Sequence, residues 1–202
     1  MNPSSKTLFL DTATRHVYLS VVIDGVVADA VYQAGDNDHS VTILPLLEAM
    51  LKRLGIGLRD LDLIVVGVGP GSYTGVRIGV SIAKMIGYLN GTPVRSVSSL
   101  ALLASGAPEG VVLPFVDARR GNAFMGLYRI GRNTMEELTP DVLENVEAFR
   151  TRIAQPHELR LEGTPDPLRI LNSTLTKTVE DIHALIPNYL QVTEAERKKA
   201  DA

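Results

Sequence analysis

Short apolar runs separated by polar punctuation predict alternating strands and helices through the first hundred positions. Thr7-Leu8-Phe9-Leu10-Asp11 predicts a strand ending on a carboxylate, and 17–23 predicts a second. Asp24-Gly25 is a two-residue hairpin signal, so 26–33 continues as a third strand of an antiparallel meander. Residues 39–54 carry Ile43, Leu47, Met50, Leu51 and Leu54 at helical spacing, with Pro45 in the first turn or at a kink. The run Leu63-Ile64-Val65-Val66 predicts a buried strand. It leads through the turn Gly69-Pro70-Gly71 into a helix that Ser72 or Thr74 can cap. In that helix Gly71, Gly75, Gly79, Ala83 and Gly87 stand four apart, along one ridge. An interior helical glycine costs about 1 kcal/mol relative to alanine. The ridge therefore implies a closely approaching backbone, and spacing leaves open whether it belongs to this chain or to a partner. A short strand at 93–97 and a short helix at 98–105, capped by Ser98, complete this half.

After the linker-like Gly106-Ala107-Pro108-Glu109-Gly110 the pattern begins again. A strand at 111–117 ends on Asp117, 122–130 follows as a second strand, and 134–138 as a third. Helices are expected at 145–154 and 170–185, a short strand at 158–162 and an extended stretch at 186–191. The polar stretch 193–202 is expected to be frayed or partner-bound. Two lobes result, 1–105 and a shorter 106–202, each opening with a strand ending in Asp and then a hairpin. Duplicated β-β-β-α-β-α lobes are the plan of the α/β two-lobed actin-like, sugar-kinase and Hsp70 (ASKHA, ribonuclease H-like) fold, here with a shortened second lobe.

Composition narrows the partners. The chain has 202 residues, 45% of them hydrophobic and 21% charged, as a globular protein does. It has no Cys, which removes thiol nucleophiles and zinc–thiolate sites. No signal peptide and no bilayer-spanning apolar run is recognised, so a cytoplasmic protein without a membrane partner is expected. Net charge is −3, and basic clusters reach no further than Arg119-Arg120 and Lys198-Lys199. If RNA is involved, another chain is expected to supply most of the grip.

In enzymes of this plan the two Asp turns face each other across a cleft and hold nucleotide phosphates and metal, with glycines admitting the phosphates. Asp11-Thr12-Ala13-Thr14 has no glycine, and Asp117-Ala118-Arg119-Arg120-Gly121 puts side chains where glycines are wanted. Gly163 alone is a weak adenine-pocket signal. Gly69-Pro70-Gly71 has neither phosphate-loop nor dinucleotide spacing, although a helix N-terminus there still attracts an anion. His16, His39, His157 and His183 are scattered, so no metal site is expected. Asp11 and Asp117 are either a carboxylate pair across the cleft or turn anchors. Tyr73 and Arg77, one helical turn apart, are either exposed contacts or cover over the core.

The motifs resemble those of the bacterial TsaB (YeaZ) family. The matching segments are 10–14, His39 with Ile43-Leu44-Pro45, 69–79, Ser98-Ser99-Leu100, 117–121, and Tyr189-Leu190 with Glu194-Ala195-Glu196. The resemblance implies a non-catalytic partner subunit, with no catalytic or metal residues. It implies a heterodimer with the catalytic paralogue TsaD, docked through first-lobe helices. The implied interface residues are His39, Ile43, Leu47, Gly71, Tyr73, Thr74, Gly75, Arg77, Ile78, Gly79 and Ile82. The ATPase TsaE is expected to bind the heterodimer. The complex would transfer threonylcarbamoyl from threonylcarbamoyl-AMP to the tRNA adenosine beside the anticodon, with tRNA held mainly through the complex. No cofactor of its own is expected; ATP or ADP at the partner interface stays open, as does a homodimer of the chain alone. The alternative is a small ATP-dependent kinase or ATPase of the same fold.

Overall fold

In the computed structural model, which describes residues 5–35 and 39–190, β1 (Lys6–Asp11) runs through the middle of the first sheet. β1 is apolar toward both faces because both are covered: Leu8 and Leu10 point into one core and Phe9 into another. β2 (His16–Ile23) and β3 (Val26–Ala34) continue as an antiparallel meander. Asp24 and Gly25 turn it with φ of 53° and 75°, the two positive angles a tight hairpin requires. β4 (Leu63–Gly67) and β5 (Val94–Val97) add parallel strands on the other side of β1.

α1 (His39–Leu54) and α2 (Tyr73–Asn90) lie over one face, sending Ile43, Leu47, Met50, Val76, Val80, Ala83 and Ile86 into the core against β1, β2 and β4. Pro45 sits in the second turn of α1, on the exposed side, and the helix runs on through it. Ser72 caps α2 by accepting from the Gly75 amide at 3.2 Å, and Gly91 ends it at φ 68°.

The other face of the first sheet is covered by α3 (Ser99–Ser105), all of whose residues are buried. Beyond α3 lies a second sheet: β6 (Gly110–Asp117), β7 (Asn122–Ile130), β8 (Met135–Asn145) and β9 (Glu158–Arg160), in the order β8-β7-β6-β9. Phe9, Val65, Leu100, Phe124 and Tyr128 share one core, so the two sheets pack through α3 into a single body. α4 (Val146–Thr151) closes the far side of the second sheet with Phe149.

Several expected elements change. β8 extends to Asn145, past Pro140, because β8 is an edge strand on which a missing amide is tolerated. The helix expected at 170–185 is only α5 (Pro167–Leu171), capped by Asp166. The β-branched run that follows, Thr174 to Val179, instead supplies β10 (Lys177–Thr178), which pairs antiparallel with β5. Residues 177–190 thus return to the first sheet, which corrects the division into 1–105 and 106–202 for that segment. The stretch 186–190 is irregular rather than a strand, and 193–202 lies outside the described residues.

Candidate functional site

The turn after β1 decides which surfaces are available. Asp11 is 4% exposed. Its Oδ1 accepts from the Ala13 amide at 2.8 Å and from the Ser99 hydroxyl at 3.1 Å, and Ser99 Oγ accepts from the Gly69 amide at 3.0 Å. A Cβ on Gly67 would lie 2.5 Å from the Asp11 carboxyl carbon, so no group fits between them. Asp11 is therefore a turn anchor. Thr12, fully buried, donates to the Gly75 carbonyl at 2.6 Å and accepts from the Gly79 amide at 3.0 Å.

The glycine ridge of α2 rests on this turn. A Cβ on Gly71 would stand 2.2 Å from the Ala13 carbonyl oxygen, and one on Gly75 would stand 2.1 Å from that of Thr12. A Cβ on Gly79 would meet Thr12 Oγ1 at 2.8 Å, and one on Gly87 would meet Val94 at 2.7 Å. The closely approaching backbone belongs to this chain. That corrects the expectation of an intermolecular ridge: Gly75 and Gly79, with Ile43, Leu47 and Ile82, are buried within this chain, and Gly71 and Ile78 are half-buried. His39 is the first residue of α1.

Tyr73, Thr74 and Arg77 do point outward. They continue into an apolar stripe the spacing does not single out: Met85, Tyr88 and Leu89, the last two 64% and 71% exposed. Val41 and Leu44 are exposed on α1. These positions fall three or four residues apart beside polar Arg77 and Ser81, which is the pattern of a second, outer face.

A C-terminal strap flanks that face and runs antiparallel to α2. Ile182 approaches Gly87, Lys84 Nζ donates to the carbonyls of His183 and Leu185, and the Tyr88 and His183 rings meet edge to face at 5.0 Å. The Asn188 amide donates to the Val68 carbonyl at 2.7 Å. Arg77 then closes the strap: its Nε donates to the Tyr189 hydroxyl at 2.7 Å, and it also donates to the Tyr73 hydroxyl while its guanidinium stands 3.9 Å from the Tyr73 ring centre.

The second Asp turn is exposed. Asp117 Oδ1 accepts from the Arg119 amide at 2.8 Å, so this carboxylate too anchors its own turn. Gly163 opens no pocket, because the Arg160 guanidinium occupies the side where a Cβ would be, 2.0 Å away. Among the described residues, no three His, Cys, Asp or Glu gather as metal ligands, and no helix is long and apolar enough to cross a membrane.

The body also holds a polar junction between α3 and the second sheet. Ser98 donates to Asp141 Oδ2 at 2.6 Å, and Tyr128 donates to Asp141 Oδ1 at 2.7 Å. Burial raises the Asp141 carboxyl above its ordinary range, and the two hydroxyls only partly offset it. Burial also holds the Tyr128 hydroxyl well above its usual range. A cavity of about 520 Å³ between β7, β8 and α4 is floored by Leu127, Val142 and Phe149. Its charged lining residues, Arg152 and Glu144, pair with each other and so offer no free charge to a ligand.

A family model described as TsaD, tRNA N6-adenosine threonylcarbamoyltransferase, matches residues 31–163. The tRNA threonylcarbamoyladenosine biosynthesis protein TsaB of Bacillus subtilis is 34% identical over 223 aligned positions, covering 95% of this chain and 96% of that protein. The chain belongs to the TsaB family. The Escherichia coli TsaB is 35% identical over 132 residues, which span 63% of this chain and 57% of that relative. A solved structure described as YeaZ from Pseudomonas aeruginosa superposes with a TM-score of 0.70 at 26% identity, covering 80% of this chain and 82% of that one. A second, described as an uncharacterized protein with similarity to peptidase YEAZ from Pseudomonas aeruginosa, gives 0.78 at 24% identity over 93% and 100%, a likeness of fold. The two-sheet architecture is thus that of the YeaZ structures, and the family serves tRNA threonylcarbamoyladenosine biosynthesis.

Proposed function

We propose that this TsaB protein is a non-catalytic partner subunit of the tRNA threonylcarbamoyladenosine-forming complex, docking the transferase paralogue TsaD on the outer face of α1 and α2. The observation that carries this reading is the exposed apolar stripe Met85, Tyr88 and Leu89 on α2, in the same layer as Val41 and Leu44 on α1. Scattered exposed apolar residues are ordinary, but a stripe along one helix marks an interaction surface. Tyr73, Thr74 and Arg77 extend it at the helix start, and tyrosine and arginine are typical anchors of such surfaces.

The two anchored turns support the absence of catalysis by this subunit. Asp11 spends its carboxylate on Ala13 and Ser99, and Arg160 fills the space beside Gly163. In this reading the transfer of threonylcarbamoyl to adenosine, with any metal or nucleotide, belongs to the paralogue and the ATPase TsaE. Without its partner the chain uses the same face to self-associate as a two-fold pair.

The deciding experiment is co-purification with the paralogue. A Met85→Glu, Leu89→Glu double variant should fold and melt like the parent yet lose capture, because a carboxylate buried at an interface without a partner is strongly unfavourable. Undiminished capture by the folded variant sinks the docking face. Calorimetry of the isolated chain with ATP and Mg²⁺ should show no turnover; turnover would favour a kinase or ATPase.

A further inference from the structure

β6 ends at Asp117 and β7 begins at Asn122, so the residues between them must reverse the chain. The reversal is locked from within. The Ala118 amide donates to the Asn122 carbonyl at 3.0 Å, and the Asn122 amide donates back to the Arg119 carbonyl at 3.1 Å. The Gly121 carbonyl accepts from the Asn145 side chain at 3.1 Å and from the Val146 amide at 3.2 Å. Arg119, Arg120 and Gly121 all adopt left-handed backbone, with φ of 69°, 56° and 75°. Glycine accepts this conformation freely; an arginine is strained in it.

Two arginines in succession stand where glycines would build the same turn, so the side chains need a use outside the backbone. Among the described residues the chain provides none. Both residues are exposed, and among the described residues neither guanidinium makes an ion pair or hydrogen bond. The carboxylates close to them in the fold are engaged: Asp117 with the Arg119 amide, Glu144 with Arg152, and Glu147 with Arg150.

We infer that Arg119 and Arg120 are a contact for the sugar-phosphate backbone of tRNA, presented on the rigid turn between β6 and β7. A guanidinium matches phosphate oxygens with paired donors, and here no ion pair has to be broken first and the locked turn backbone loses little freedom on binding. Because net charge is −3, phosphate contact has to be local, and adjacent cations on a fixed turn supply such a spot. The inference rests on tRNA being the substrate of the complex, as proposed above, and is independent of the α1 and α2 docking face.

Two double variants test it, Arg119→Gly with Arg120→Gly, and Arg119→Glu with Arg120→Glu. Binding of unmodified tRNA is read by fluorescence anisotropy across a salt series, for the chain alone and for the chain co-purified with the paralogue. The glycine variant should melt no lower than the parent, bind tRNA about tenfold more weakly, and show a salt slope shallower by about 1.5, as loss of two phosphate contacts requires. The glutamate variant should bind more weakly still while retaining the paralogue. Unchanged affinity and slope in the folded glycine variant overturn the inference. So does loss of paralogue capture with tRNA binding intact, which would make the pair a protein contact. If no paralogue is captured even by the parent, the docking proposal fails while the chain-alone arm still tests the arginines.

Discussion

The Thr12 hydroxyl accepts a hydrogen bond from the Gly79 amide at 3.0 Å while donating to the Gly75 carbonyl at 2.6 Å. Gly75 and Gly79 are the i and i+4 partners of one helical turn, so a side chain from the β1 turn is keyed into the ladder of α2. Thr12→Val keeps the shape and removes the key. It should cost about 1–2 kcal/mol in urea unfolding, the scale of a lost buried hydrogen bond, and Thr12→Ser should recover most of it. Equal midpoints for Thr12→Val and the parent would show that the helix ladder compensates alone.

The ridge makes a second, stronger prediction. Gly75→Ala puts a methyl 2.1 Å from the backbone oxygen of Thr12, and neither backbone can yield without opening the turn. The variant should lose about 3 kcal/mol, at the upper end of overpacking costs, whereas exposed Ser81→Ala should be near neutral. A Gly75→Ala protein as stable as the parent would return the ridge to the outer surface.

Tyr189→Ala should release the strap without unfolding the body. The exposed contact of Arg77 with the Tyr189 ring, 5.5 Å from its centre, contributes only about 0.5–1 kcal/mol, so the melting temperature should barely move. Hydrogen exchange should instead quicken at the Asn188 amide, which reaches the Val68 carbonyl only while the strap lies along α2. Unaltered exchange there would mean that the Lys84 contacts hold the strap by themselves.

Asp141 should leave a signature in the pH dependence of stability. Its folded-state pKa is raised by burial, so the folded protein holds this proton at pH values where the unfolded chain has released it. The stability it confers is fully present below the ordinary carboxyl value of 3.8 and is lost as pH rises through the raised value. Asp141→Asn should flatten that part of the profile in denaturant titrations run upward from about pH 4. A profile parallel to that of the parent would assign the dependence to other groups.

The fold was largely legible because its cues are local. Asp24-Gly25 announces a hairpin, Ser98 a helix start, and the apolar runs around Phe9 and Val65 announce strands covered on both faces. The end of the third strand of the second half, expected at 138, and the stretch from Thr174 to Val179 were not legible for the opposite reason. Whether a proline ends a strand depends on that strand's place in the sheet, and whether a β-branched run becomes helix or strand depends on a neighbour such as β5. The site was less legible: spacing left Tyr73 and Arg77 open between exposed contacts and cover over the core, and Met85, Tyr88 and Leu89 do not separate from core positions by residue type.

From residue order alone come the meander, the two helices over it, the repeated strand-to-Asp plan and the close approach that the ridge of small residues demands. Only the tertiary structure decides what makes that approach. A glycine every fourth residue specifies a distance between backbones, not the identity of the second backbone. That identity follows from the turn after β1 carrying Thr12 and Ala13 under α2, which turns the ridge inward and leaves the opposite side of the helix exposed.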